Sequence, residues 1–124
     1  MTTPGATPPL RDPRIILDEI LASIAMIQSY LAQVAQDQFM AQPLIQDGVV
    51  MRLEIIGEAA TQLPVDLKAR FTAVEWRAMT TMRNRLIHGY FAVNLTIVWD
   101  TIQRDLPVLE TQIRAIRAQL DAAP

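Results

Sequence analysis

Apolar residues recur at Ile16, Ile20, Ile24, Ile27, Leu31 and Val34, spaced by four, four, three, four and three. That rhythm follows the 3.6-residue turn of an α-helix with one face turned to a core. Asp12 and Pro13 ahead of it supply an N-cap and a first-turn proline. A first helix is therefore predicted from 13 to about 36, ~35 Å long at ~1.5 Å per residue. Residues 37–43 read as a connector or a restarting helix. A second helix is predicted over 43–62, with Ile45, Val49, Ile56, Ala59, Ala60 and Leu63 on its inner side. Gly48 and Gly57 lie inside it, and each costs ~1 kcal/mol of helix propensity. A close approach of another helix would explain them. Arg52 and Glu58 share this helix with apolar neighbours, and either surface placement or an ion pair within or between chains fits them.

Pro64 predicts a short helix from Val65 to about Phe71. Thr72 followed by Glu75 matches a capping box, which would start the next helix. That fourth helix carries Trp76, Met79, Arg83 and Ile87 at helical spacing, and Gly89 is a natural terminator. Asn94 is placed to cap a last helix patterned by Ile97, Val98, Ile102, Leu106, Leu109, Ile113, Ile116 and Leu120. Pro107 inside that pattern should kink the helix or break it in two. No strand-like alternation and no internal repeat are present. The pattern predicts an all-α fold, an up-and-down bundle of four or five helices. Residues 12–124 form one domain in this reading, and residues 1–11, with three of the chain's eight prolines, form a flexible tail.

Composition narrows the function more than the fold. A chain of 124 residues, 51% hydrophobic and 19% charged, has the make-up of a folded domain. No apolar run reaches the ~20 residues of a membrane span, and the N-terminus lacks the basic start and apolar core of a signal peptide. A soluble cytoplasmic protein with no membrane partner is expected. The absence of cysteine excludes disulfides, thiolate nucleophiles and sulfur-based zinc sites. A net charge of −2 does not mark a general nucleic-acid binder. Ten arginines against one lysine are open to two explanations. One is genomic GC bias; the other is local gripping of phosphate, which the planar guanidinium performs bidentately.

Candidate chemistry concentrates in Met82-Arg83-Asn84-Arg85-Leu86-Ile87-His88-Gly89-Tyr90, which holds the only histidine. Asn84 and His88 are four apart and share a helix face, so Asn84 could orient the imidazole. Arg83 and His88 are five apart, about 140° around the axis. They could meet at one atom if the helix ends near His88. Alternatively, a second copy of the helix could face the first and pool two arginines and two histidines across a two-fold axis. Histidine is the usual general acid or base near neutral pH, and arginine stabilises charge developing on a phosphoryl oxygen. Together they suit metal-free RNA cleavage by the adjacent 2′-hydroxyl. The carboxylates form no obvious metal cluster, and a lone histidine cannot build a multi-histidine site. Blander roles fit the same residues: His88 as a helix C-cap, Arg83 and Arg85 as a solvated face, Tyr90-Phe91 as packing aromatics.

Arg83-Asn84-Arg85-Leu86-Ile87-His88-Gly89-Tyr90 closely resembles the signature of HepT-like toxins within the HEPN superfamily. The superfamily motif is Arg, four to six residues with a polar one first, then His; Arg83, Asn84 and His88 match it. HepT proteins add a tyrosine two residues after the histidine, matched by Tyr90. The segment Ile55-Ile56-Gly57-Glu58-Ala59-Ala60 is similar to the family's second helix. Trp76-Arg77, Val98-Trp99-Asp100 and Asp105-Leu106-Pro107 also resemble family segments, so the likeness covers most of 13–120. It implies a HEPN-like helical homodimer with a composite site at its interface and metal-independent endoribonuclease activity without a cofactor. The implied partners are an RNA substrate and an MNT-type nucleotidyltransferase antitoxin of a type VII toxin–antitoxin system, with a larger hetero-oligomer between toxin and antitoxin open. By position, Arg83 and His88 would be catalytic, Asn84 would support them, and Tyr90 would receive AMP from ATP. Arg85 and Arg77 are candidate contacts to RNA phosphates. Two other classes are a non-catalytic HEPN module that only dimerises and serves the nucleotidyltransferase, and a HEPN subunit assisting nucleotidyl transfer to a small molecule. The intact Arg83, Asn84 and His88 favour the ribonuclease over the first. The sequence shows no small-molecule pocket to favour the second.

Overall fold

The computed structural model describes residues 11–88 and 94–122, and the expected tail falls almost wholly outside them. Six helices follow one another: α1 (Pro13–Tyr30), α2 (Gln36–Met40), α3 (Pro43–Gln62), α4 (Val65–Arg70), α5 (Trp76–Ile87) and α6 (Leu95–Ala122). No strand occurs among the described residues. Four long helices make the bundle, and α2 and α4 are short connecting turns of helix. α3 is the central element, packed on α1 along one side and on α5 along another, while α6 lies against α1.

The first helix begins as its sequence dictates. The Asp12 carboxylate accepts from the Arg14 backbone N–H at 2.9 Å, with Pro13 in the first turn. Hydrogen bonds from the Arg14 side chain and backbone hold that carboxyl down to about 2. The helix ends earlier than its apolar rhythm predicts. Leu31 is the C-cap, Gln33 takes a left-handed φ of 59°, and the chain turns before restarting as α2. Gln38 Oε1 accepts from the Ala35 N–H at 2.8 Å at this restart. The turn delivers Phe39 into the core, fully buried, with its ring centroid 5.4 Å from that of Trp99 on α6. Burying a whole aromatic ring outweighs continuing a helix by two more turns.

The core is built from Ile16, Leu17, Ile20, Ile24 and Ile27 of α1, Val49, Leu53 and Ile56 of α3, and Val98, Ile102, Ile113 and Ile116 of α6. Ile87 and Ile97 keep the helical spacing, yet each is 51% exposed; Leu86 takes the inward place on α5. The expected capping box is absent. Glu75 itself is the N-cap of α5 and makes no side-chain capping bond, while Trp76 Nε1 donates to the Phe71 carbonyl at 3.0 Å. Asn94 does cap α6, its Oδ1 accepting from the Ile97 N–H at 3.0 Å.

Pro107 does not break α6, which runs unbroken from Leu95 to Ala122. The proline is exposed, and so is Gln103, whose carbonyl loses its donor and can turn to water. Leu106 and Ile113 beside it are buried and anchor both halves of the helix. Arg117 further ties α6 to α1 through Asp18 at 3.0 Å.

Both glycines of α3 sit at close approaches, but of different kinds. A Cβ added at Gly48 would lie 3.2 Å from the edge of the Tyr30 ring, a half-buried side chain that can swing. One added at Gly57 would lie 2.3 Å from Arg83 Cβ and 2.9 Å from the Met79 carbonyl, which can yield only if α5 moves. Gly48→Ala should therefore be neutral or stabilising by up to ~1 kcal/mol, since it removes a flexible residue from a helix interior. Gly57→Ala should be destabilising by ~1–2 kcal/mol despite the same propensity gain, because overpacking costs ~1–3 kcal/mol. Thermal denaturation of the two variants beside the parent protein checks this, and a melting temperature for Gly57→Ala at or above the parent value would refute the close packing.

Candidate functional site at the end of helix α5

Arg83 lies one turn before the end of α5, on the side that meets α3. The missing side chain at Gly57 lets its Cβ and Cγ press on the α3 backbone. From there the guanidinium reaches two partners. Its NH2 forms an ion pair with Glu58 Oε2 at 2.6 Å, and its NH1 donates to Asn84 Oδ1 at 2.9 Å. The Arg83 side chain is 26% exposed, and its Nε is buried with no hydrogen-bond partner among the described residues. A stem packed on backbone and a head held at two points fix the direction of the charge.

His88 is the C-cap of α5. Its backbone N–H donates to the Asn84 carbonyl at 3.1 Å, and its side chain is exposed. The helix thus ends where the sequence reading requires if one chain is to bring arginine and histidine near each other. Asn84, however, does not orient the imidazole. Its side-chain oxygen serves Arg83, and among the described residues no hydrogen bond joins it to the His88 ring.

Tyr90 and Gly89 lie outside the described residues. Arg77 and Arg85 are both exposed and, among the described residues, without an ion pair. Arg85 is two residues from Arg83, about 200° around the helix, so the two do not share a groove in one protomer.

The groove on Arg83's side, between α3 and α5, encloses about 290 Å³ and is lined by Glu19, Met51, Glu54, Glu58 and Ile87, among others. Of its three carboxylates, Glu19 pairs with Arg11 and Glu58 with Arg83. Met51 and Ile87, at 57% and 51% exposure, add apolar surface beside it. A second cavity of about 400 Å³ lies between α5 and α6, lined by Leu53, Met79, Met82, Leu106 and Leu109 with Glu75 and Asp105. Sequence reasoning showed no such pocket, because it forms where the consecutive helices α5 and α6 fail to close on each other over α3. Neither Arg83 nor His88 lines it.

Glu58 is the residue whose role sequence spacing did not reveal. Its surface or ion-pair placement was open, and Gly57 beside it was the available signal: a glycine inside a helix marks where another helix comes within reach of the next side chain.

Comparison with known proteins decides the family. A family model described as "Ribonuclease HepT-like" matches residues 20–116. The chain belongs to the HepT-like ribonuclease family. A Thermococcus cleftensis protein named "Probable ribonuclease HepT" is 34% identical over 101 residues, covering 82% of this chain and 92% of its own. A Caldanaerobacter subterraneus subsp. tengcongensis protein named "Putative RNase" is 35% identical over 107 residues, with 86% and 96% covered. A Methanocaldococcus jannaschii protein named "Gamma-glutamylcyclotransferase and putative RNase" is 36% identical over 111 residues; the match spans 90% of this chain and half of that longer protein. No solved structure matches the chain. The HepT-like match takes in α3, α5 and most of α6, and so Glu58, Arg83, Asn84 and His88, while Glu19 of the groove lies just outside it.

Proposed function

We propose that this HepT-like protein is a metal-independent endoribonuclease toxin whose active site is shared between two copies of the chain. The observation that carries the reading is the end of α5. A guanidinium is held rigidly by Asn84 and Glu58, and the chain's only histidine stands exposed at the helix terminus one turn on. An exposed imidazole can exchange protons with substrate, and a fixed guanidinium can hold a phosphate without losing rotamer freedom on binding.

In this mechanism the RNA 2′-oxygen attacks the adjacent phosphorus as one His88 imidazole removes its proton. The bond from phosphorus to the 5′-oxygen breaks, and the leaving oxygen takes a proton from the His88 of the second copy. Arg83 stabilises the charge gathering on the phosphoryl oxygens. The products are a 2′,3′-cyclic phosphate and a free 5′-hydroxyl. Arg77 and Arg85, being exposed, would contact flanking phosphates. A dimer is favoured by the exposed Met51 and Ile87 beside Arg83.

Control in this reading runs through Tyr90. A cognate MNT-type nucleotidyltransferase antitoxin would attach AMP to its hydroxyl, the phenolic oxygen attacking the α-phosphorus of ATP with loss of pyrophosphate. The added nucleotide would bring an anion and a base to the end of α5, obstructing RNA and competing for its arginines.

Three outcomes are expected. Light scattering at micromolar concentration should report twice the 13.9 kDa chain mass, and a clean monomer would remove the shared site. Arg83→Ala and His88→Ala should each lower RNA cleavage by about 10²–10⁴-fold with helical circular dichroism intact. Cleavage by the parent protein should persist in EDTA and leave cyclic-phosphate ends. Dependence on Mg²⁺, or full activity in His88→Ala, would exclude this chemistry. Finally, Tyr90→Phe should stay folded, gain no AMP mass on incubation with the nucleotidyltransferase and ATP, and escape neutralisation; AMP on another residue would reassign the control point.

A further inference from the structure

We infer that Glu58 is a positioning residue for the ribonuclease reaction, aiming the Arg83 guanidinium from the neighbouring helix; the inference rests on the ribonuclease reading above. Arg83 belongs to α5 and Glu58 to α3, and among the described residues the ion pair of 2.6 Å is the one polar tie from α3 to the Arg83 head group. The stem of Arg83 is already pinned at Gly57. Its Nε is buried and makes no hydrogen bond among the described residues, so packing alone acts at that end of the guanidinium. Asn84 holds one terminal nitrogen from within the same helix. Two anchors are needed to fix the orientation of a plane, and Glu58 supplies the second from a different element.

The arrangement separates two roles that a carboxylate near an arginine can play. A carboxylate that merely masks the charge would have to be expelled before phosphate could bind, and its removal would then speed the reaction. Glu58 instead stands beside the Asn84 contact on a side chain that is 26% exposed, with surface left for a third partner. Charge-assisted pairs of this kind fix direction as well as place. A misplacement of about 1 Å in a group that stabilises the transition state can cost on the order of 10²-fold in rate.

The test compares Glu58→Gln and Glu58→Ala with the parent dimer on a fluorogenic single-stranded RNA, with Glu54→Gln as a control. Glu54 lines the same groove and makes no hydrogen bond or ion pair to Arg83 among the described residues. Glutamine retains an acceptor oxygen and the side-chain length, so kcat should fall in the order parent, Gln, Ala. The expected losses are about tenfold and about 10²-fold, with KM changed less than about threefold. Glu54→Gln should keep its kcat within about twofold. Arginine side-chain ¹⁵N spectra taken without RNA provide a readout independent of catalysis: the Arg83 Nε–H signal should be sharp in the parent protein and broadened or shifted in Glu58→Ala. Faster cleavage by either Glu58 variant, a loss confined to KM, or an equal loss in Glu54→Gln would overturn the positioning role. An inactive parent protein with an unperturbed folded spectrum would instead sink the ribonuclease reading, and the Arg83 signal would still decide whether Glu58 orders the guanidinium.

Discussion

The contact between Gly57 and Arg83 is the constraint on which the rest of the site depends. Helices packed through ordinary side chains keep their axes roughly 8–10 Å apart. Removing one side chain at the crossing lets α5 settle onto the backbone of α3, with a methylene stem as its wedge. That closeness puts the carboxylate of the next residue, Glu58, within ion-pairing distance of the guanidinium. The propensity lost at Gly57 thus has a local return: an arginine with a buried stem and a directed head. Gly48, in the same helix, meets only the edge of a tyrosine ring and carries no comparable consequence.

Much of the scaffold was legible in the chain because helices announce themselves by period and by their ends. The bounds of α3 follow from Pro43 and the apolar rhythm, and Asn94 caps α6 as its position implies. The errors share a cause. The first helix was extended through Leu31 and Val34 because period alone cannot see that Phe39 is worth turning for. Ile87 and Ile97 keep the helical spacing, yet each is half exposed. A capping box at Thr72 and Glu75 is a strong local signal, but the indole of Trp76 bonding to the Phe71 carbonyl organises that entry instead.

The site was legible in its parts and not in its connections. Arg83, Asn84 and His88 stand out by residue type and spacing, and the family match covers all three. Helical geometry suggested that Asn84 would serve His88, since residues four apart are neighbours on a helix face. The structure joins Asn84 to Arg83 instead. Glu58 could not be paired with Arg83 from spacing, being 25 positions away in the chain. Only the approach of α3 to α5 brings them together, and a one-dimensional pattern carries that approach solely as an unexplained glycine.

The charge around Arg83 bears on how such a protein could act on RNA at all. Glu19, Glu54 and Glu58 line one groove with Arg83, and two of the three are already paired, Glu58 with Arg83 and Glu19 with Arg11. Two copies facing each other through the apolar surface at Met51 and Ile87 would bring a second Arg83 and His88 to the same seam. Catalytic competence and assembly would then be one event, set by the same few side chains at the end of α5.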